Sequence, residues 1–279
     1  MLTPVLLMDT LLVLLLIGFC VCFVEGNMAR SRTTSNGKPN EGLKKWEKHL
    51  QELRENFTEY KDPQRIGDGV LLSAQVIYDE FYQESVDDHK SRKKNANKEG
   101  DDKEGDIKDY FDALFKGLET YFHKQSIFVN ITVASVTEMK NLTKIDDTNI
   151  INGNETLKNI QEFGSSLEKE KNTIFYLFTW PGNVKYPNRS FDLITTAGKH
   201  RLGVSEAATN GTFCSSTTSA ALVRHKHGSD NFWSTARATF TIFGSDHFYA
   251  ITKNDRVLMN ATLSRCPLPS EGHFDLLQC

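Results

Sequence analysis

Three apolar runs in this sequence are short, rich in β-branched and aromatic residues, and separated from one another by helical patterns. Val70 to Tyr78 (VLLSAQVIY) reads as a buried strand. SIFVNITVASVT, 126–137, places Ile127, Val129, Ile131 and Val133 on alternate positions, the period of a strand with one buried face. IFYLFT, 174–179, is apolar throughout and reads as a central strand. Between the first two runs, Asp106 is a suitable N-cap, and Ile107, Tyr110, Phe111, Leu114, Phe115, Leu118, Tyr121 and Phe122 fall on one helical face. Leu157, Ile160, Phe163 and Leu167 repeat that spacing before the third run. Strand, helix, strand, helix, strand is an α/β pattern, and it predicts a twisted, mostly parallel sheet with helices on its faces. The charged stretch 87–106 (DDHKSRKKNANKEGDDKEGD) is expected to be a solvated loop. Leu202–Ala208 is expected to add a strand near the sheet edge.

With 279 residues, 39% hydrophobic and 25% charged, the chain has ordinary globular composition and room for one domain of about 200 residues plus short extras. Leu11–Val24 (LLVLLLIGFCVCFV) carries no charge, and no Lys or Arg precedes Arg30. Its length suits a signal-peptide core better than a membrane span, which needs about 20 residues. Residues 1–26 are therefore expected to be a leader cleaved after Gly26, with an uncleaved signal anchor as the alternative. Residues 27–66 read as a polar linker followed by an amphipathic helix (Leu43, Trp46, Leu50, Leu53, Phe57) that Pro63 stops, and 67–279 as the main domain.

Loss of the leader removes Asp9 and Glu25 and no base, leaving 33 basic residues against 34 acidic ones, a net charge of −1. That balance argues against a nucleic-acid partner, which a basic face would mark. Glycosylation acceptors, Asn-x-Ser/Thr, occur at Asn56, Asn130, Asn141, Asn154, Asn188, Asn210 and Asn260. Seven of them behind a leader imply a secreted, extracellular glycoprotein. Three cysteines follow the leader, Cys214, Cys266 and Cys279. An oxidising compartment favours one disulfide among them.

The stretch from GTFCSSTTSAALV (Gly211–Val223) through STARATFTIFGSDHF (Ser234–Phe248) to RVLMN (Arg256–Asn260) resembles the reprolysin, or adamalysin-like, branch of the metzincin metallopeptidases. In that family a Cys-containing strand leads to a helix bearing HExxHxxGxxH, and a Met-containing turn follows. Upstream, VLLSAQVIYDEFY is similar to the family's first strand and DYFDALFKGLETYFHKQSIFVNITV to its first long helix and second strand. FDLITTAG and RLGVSEAA (Phe191–Gly198 and Arg201–Ala208) are similar to the segment before the edge strand and to that strand itself. The resemblance implies a zincin fold with an antiparallel edge strand and a smaller C-terminal subdomain. It also implies a disulfide from Cys214 to a cysteine near the end of the domain, Cys279 ahead of Cys266.

The motif's chemistry is specific. Two His at i and i+4 share a helical face and reach one zinc ion, the intervening Glu activates the bound water, and a third His arrives from the turn after Gly. Anchored at Gly244 and His247, the pattern puts Arg237 and Thr241 at the first two ligand positions and Ala238 at the general-base position. His247 remains as a relic ligand and Met259 stands for the turn methionine. Arg237 stays protonated at any relevant pH, and its charge 4 Å from a divalent ion costs about 8 kcal/mol at an effective dielectric near 20. No catalytic residue and no bound cofactor are therefore expected, although the family uses zinc. ATFTIF, 238–243, is also locally better suited to a strand than a helix.

The function these residues imply is a secreted, catalytically inactive pseudopeptidase that binds an extracellular protein or peptide, with no membrane span in the mature chain once the leader is cleaved. The alternative is an active zinc metalloendopeptidase with a divergent ligand set drawn from His225, His227 and His247.

Overall fold

A computed structural model of the chain describes residues 63–96, 107–145, 150–181, 194–196, 199–200 and 204–267, all within one compact unit spanning Gly42–Cys279. The leader, the linker, the helix expected at 43–57 and Cys279 lie outside the described residues, as do Asn56 and Asn188.

The strand–helix alternation folds as expected into a mixed α/β arrangement. β1 (Ile66–Tyr78) is followed by α1 (Glu80–Ala96), α2 (Ile107–Lys124) and β2 (Ile127–Glu138). A two-residue strand β3 (Ile151–Asn152) leads into α3 (Gly153–Ser166) and β4 (Thr173–Thr179). The short β5 (Ile194–Thr196), β6 (Lys199–His200) and β7 (Glu206–Ala208) precede β8 (Ser219–Arg224), α4 (Trp233–Ile242) and α5 (Lys253–Leu263). The main sheet has the order β2-β1-β4-β8-β7. The first four strands run parallel, and β7 lies antiparallel to β8 at the edge. FDLITTAG contributes β5, which joins β3 and β6 in a separate three-stranded sheet.

Strand alternation splits the core in two. On one face Leu72, Ala74, Val76, Ile174, Tyr176, Phe178, Ala221 and Val223 meet Phe111, Phe115, Leu118 and Phe122 of α2, with Phe240 of α4 and Met259 of α5. On the other face Ile77, Phe175, Leu177, Ala220 and Leu222 meet Ile160 of α3. Because helices cover both faces of β4 and β8, those strands are buried along their whole length.

Three expectations need correction. The charged run is helical as far as Ala96: Asp79 caps α1 by accepting from the Tyr82 amide at 2.9 Å, and Tyr82, Ser85 and Val86 face inward while Asp87, Asp88 and Arg92 face water. Burial pushes the Asp79 carboxyl above its usual range, against hydrogen bonds from the Thr143 hydroxyl and the Tyr82 amide. ATFTIF forms the helix that the resemblance implied, against its local strand propensity, because Ala238, Thr239, Phe240 and Ile242 are all buried and tertiary packing outweighs that propensity. The smaller C-terminal subdomain is, over the described residues, one loop and α5, whose Met259 and Leu263 belong to the same core as α2. Finally, Cys214 does not lie on a strand: it sits in a turn within the polar stretch, and the strand after it is Ser219–Arg224.

Candidate functional site

The antiparallel edge strand β7 packs against α4, and their facing side chains form the candidate site. Helix α4 buries Thr235, Ala236, Ala238, Thr239, Phe240 and Ile242, and leaves Arg237 exposed and Thr241 half-buried on its outer face. Arg237 and Thr241 are therefore brought together, as i and i+4 spacing requires. Ala238 is not on that face; its methyl is fully buried in the core.

Arg237 Nε stands 3.1 Å from Glu206 Oε1 on β7. The Glu206 carboxylate is almost wholly buried, and its second oxygen accepts from the Ser205 hydroxyl at 2.5 Å. Ser205 in turn accepts from Ser234 Oγ on α4 at 2.8 Å. Burial pushes the Glu206 carboxyl above its usual range, and Ser205 and Arg237 offset part of that shift. The Thr241 hydroxyl donates back to the Arg237 carbonyl at 3.1 Å, so it is engaged within its own helix.

Gly244 ends α4 with φ +91°, the left-handed conformation that a helix C-terminus favours for glycine. Beyond it, His247 is half-exposed and its Nδ1 lies 2.9 Å from Asp255 Oδ2. Burial acts to raise the Asp255 carboxyl, but hydrogen bonds from the Thr252 hydroxyl and amide, from His247 and from the Asp246 amide outweigh it and hold the group below its usual range. Asp255 is also the N3 residue of a capping box with Thr252 that starts α5. Met259 consequently sits inside α5, fully buried, and not in a turn as the resemblance implied.

The alternative ligand set is not assembled. Among the described residues no three of His, Cys, Asp and Glu are placed to hold a metal ion. His225 and His227 leave the end of β8 and enter a cage of aromatic rings. The Tyr110 hydroxyl lies 2.5 Å from His225 Nε2, and the His227 ring stands 4.3 Å from that of Tyr110 and 5.3 Å from that of His89, centroid to centroid. Burial holds His225 down at about 4, with the neighbouring His227 acting in the same direction. Nor do the motif positions fit zinc. A guanidinium cannot ligate a cation, Ala238 offers no donor, and one imidazole falls short of the three or four ligands such an ion needs.

The disulfide joins Cys214 to Cys266, with a Cα–Cα distance of 5.0 Å. This corrects the expected bond to Cys279. Cys266 follows α5 directly, and packing of that helix on the core brings its sulfur to Cys214. Of the glycosylation acceptors, Asn130, Asn141, Asn154, Asn210 and Asn260 are described, and all five are exposed.

Glu206 and Asp255 escaped the sequence reading. Thr252-x-x-Asp255 was the available signal for the second, as a capping box. For Glu206 it was a lone acid on a three-residue edge strand, which points inward only because Arg237 awaits it.

No family model matches the sequence, and no curated protein does. Among solved structures the chain is similar to metalloproteinase-II from Bacteroides fragilis, with 10% identity and a TM-score of 0.40 over 72% of this chain and 55% of that one. The chain thus spans about half the length of that protein, and an overlap this loose assigns no family.

Proposed function

We propose that this protein is a secreted, glycosylated pseudopeptidase of metzincin type that binds an extended segment of an extracellular protein. One observation carries the reading: the helix face where two imidazoles would hold zinc instead presents Arg237, ion-paired to the buried Glu206 of the edge strand. The ion pair fills with its own positive charge the place where the resemblance would put a cation, and Ala238 supplies no base to activate water. The strand order, with its single antiparallel edge, and the glycine turn after α4 support the zincin ancestry.

Binding in place of cleavage rests on the β7 edge. The Arg224 amide donates to the Ser205 carbonyl and the Thr209 amide to the Ala220 carbonyl. Antiparallel ladders alternate inward and outward residues, so the main-chain groups of Glu206 and Ala208 point away from β8. Among the described residues no strand pairs with that side. An added peptide strand would find those groups ready. The leader and the exposed acceptor asparagines support secretion.

The test is zinc analysis of the purified protein, paired with a general peptidase assay run with and without chelator. Substoichiometric metal and no chelator-sensitive cleavage are expected. One zinc per chain, or cleavage abolished by chelator and by His225→Ala or His247→Ala, would instead establish the divergent enzyme.

A further inference from the structure

We infer that Arg237 is a carboxylate receptor, and that the segment bound along β7 carries an acidic group at the position registered beside Glu206. The inference rests on the edge-binding reading above and names the chemistry of its ligand.

Three observations lead to it. First, the guanidinium is held at one corner only. Nε is engaged by Glu206, whereas Nη1 and Nη2 have no hydrogen-bond partner among the described residues, and the side chain is 52% exposed. An arginine ion-paired through Nε to a buried acid leaves open its Nη edge, the fork that matches a second carboxylate. Second, the geometry of the edge aims a ligand at that fork. Glu206 and Ala208 expose their main-chain groups outward, while the Glu206 side chain lies on the α4 face of the sheet. Side chains in register on neighbouring strands share a face, so the residue of an added strand lying beside Glu206 points toward α4 and Arg237, about 5 Å from the Glu206 main chain. Third, the approach is aromatic. The Phe248 ring lies 5.9 Å from Arg237 Cζ, and the Trp233 ring 6.1 Å from that of Phe248. Apolar walls lower the local dielectric and strengthen a charge-assisted hydrogen bond.

A purely structural ion pair would also explain Nε and Glu206. It gives no reason for Nη1 and Nη2 to lack partners among the described residues beside an edge that no described strand covers. The ligand chemistry is a carboxylate, from an Asp or Glu side chain or from a peptide C-terminus.

The experiment is selection from a random peptide array, each sequence printed once with a free C-terminal carboxylate and once amidated. The full chain is used, with Arg237→Gln and the charge-conserving double variant Arg237→Gln/Glu206→Gln. The double variant avoids stranding a buried carboxylate if the single one folds poorly. Wild-type protein is expected to enrich Asp or Glu at one register, or free-acid over amidated termini. Both variants should lose that preference and bind the selected peptides about tenfold or more weakly, the scale of a hydrogen bond to a charged group. Enrichment of internal acids identifies a side-chain ligand, and dependence on the free terminus identifies an end-on one; either supports the inference. Peptide binding without acidic preference, or with a preference the double variant retains, overturns it and leaves edge binding intact. Absence of any peptide binding by wild-type protein overturns the edge reading itself.

Discussion

The Tyr176 hydroxyl on β4 lies 2.9 Å from Thr239 Oγ1 on α4, and both side chains are fully buried. Thr239 donates its own proton to the Thr235 carbonyl at 2.8 Å, so Tyr176 is the donor to Thr239. This bond and the surrounding aromatic contacts fix a helix that its own residues disfavour. Two nearly isosteric substitutions should therefore differ. Tyr176→Phe removes a donor and leaves Thr239 still bonded, at about 1 kcal/mol; Thr239→Val strands a buried phenol, at about 2 kcal/mol or more. Urea denaturation of the two variants checks the order, and equal losses would contradict this donor assignment.

Gly244 connects α4 to the His247 loop. A Cβ there would meet Thr262 Oγ1 at 3.4 Å and the Gly211 Cα at 3.7 Å, with φ held at +91°. The contacts are tolerable, but the left-handed backbone is not, so Gly244→Ala should cost roughly 1–2 kcal/mol. Gly244→Asn, whose side chain tolerates this region better, should cost less, and thermal unfolding of the pair gives the comparison.

Peptide mapping without reduction should recover a fragment linking Cys214 to Cys266. The bond closes a sequence separation of 52 residues, and its loss should cost about 4 kcal/mol on the chain-entropy account. Cys279→Ser should leave stability unchanged. A recovered Cys214–Cys279 fragment would refute the pairing.

Acid should destabilise the protein through His225. His225 takes up a proton near pH 6.5 in the unfolded chain but only near 4 in the folded one. Between those values the unfolded state binds more protons, so the stability contributed by neutral His225 is complete above about 6.5 and is lost as pH falls toward 4, up to about 3 kcal/mol. Asp255 behaves differently. Its folded value is depressed, so its contribution is present above the ordinary carboxylate range and disappears only in stronger acid. The difference in denaturation midpoint between the wild-type chain and His225→Asn should therefore shift against the wild type from pH 7 through 6 to 5, because Asp79 and Glu206, whose carboxyls are raised, act alike in both.

His247→Ala tests the second contact of Asp255. The carboxylate keeps its bonds from the Thr252 hydroxyl at 2.6 Å and amide at 2.8 Å, so α5 should keep its N-terminus and the loss should stay near 1 kcal/mol. Asp255→Ala removes all of them and should cost at least twice as much in the same denaturation assay.

The order of elements was legible in the amino-acid sequence because it rests on local periodicity. Ile127, Val129, Ile131 and Val133 alternate, Phe111 to Phe122 repeat every third or fourth residue, and IFYLFT is apolar on both faces; each pattern has one low-energy solution. The proposal that Arg237, Ala238 and Thr241 stand where a zinc site would need two imidazoles and a carboxylate likewise rests on residue type alone. What the sequence could not specify depends on neighbours distant along the chain. ATFTIF becomes a helix because α2 and Phe213 bury its aromatic rings, Met259 enters a helix because Thr252 and Asp255 start one, and Cys214 meets Cys266 because α5 docks where it does. Tertiary packing also decided that Glu206 turns inward beneath Arg237, since a buried carboxylate is tolerated only where a partner charge already stands.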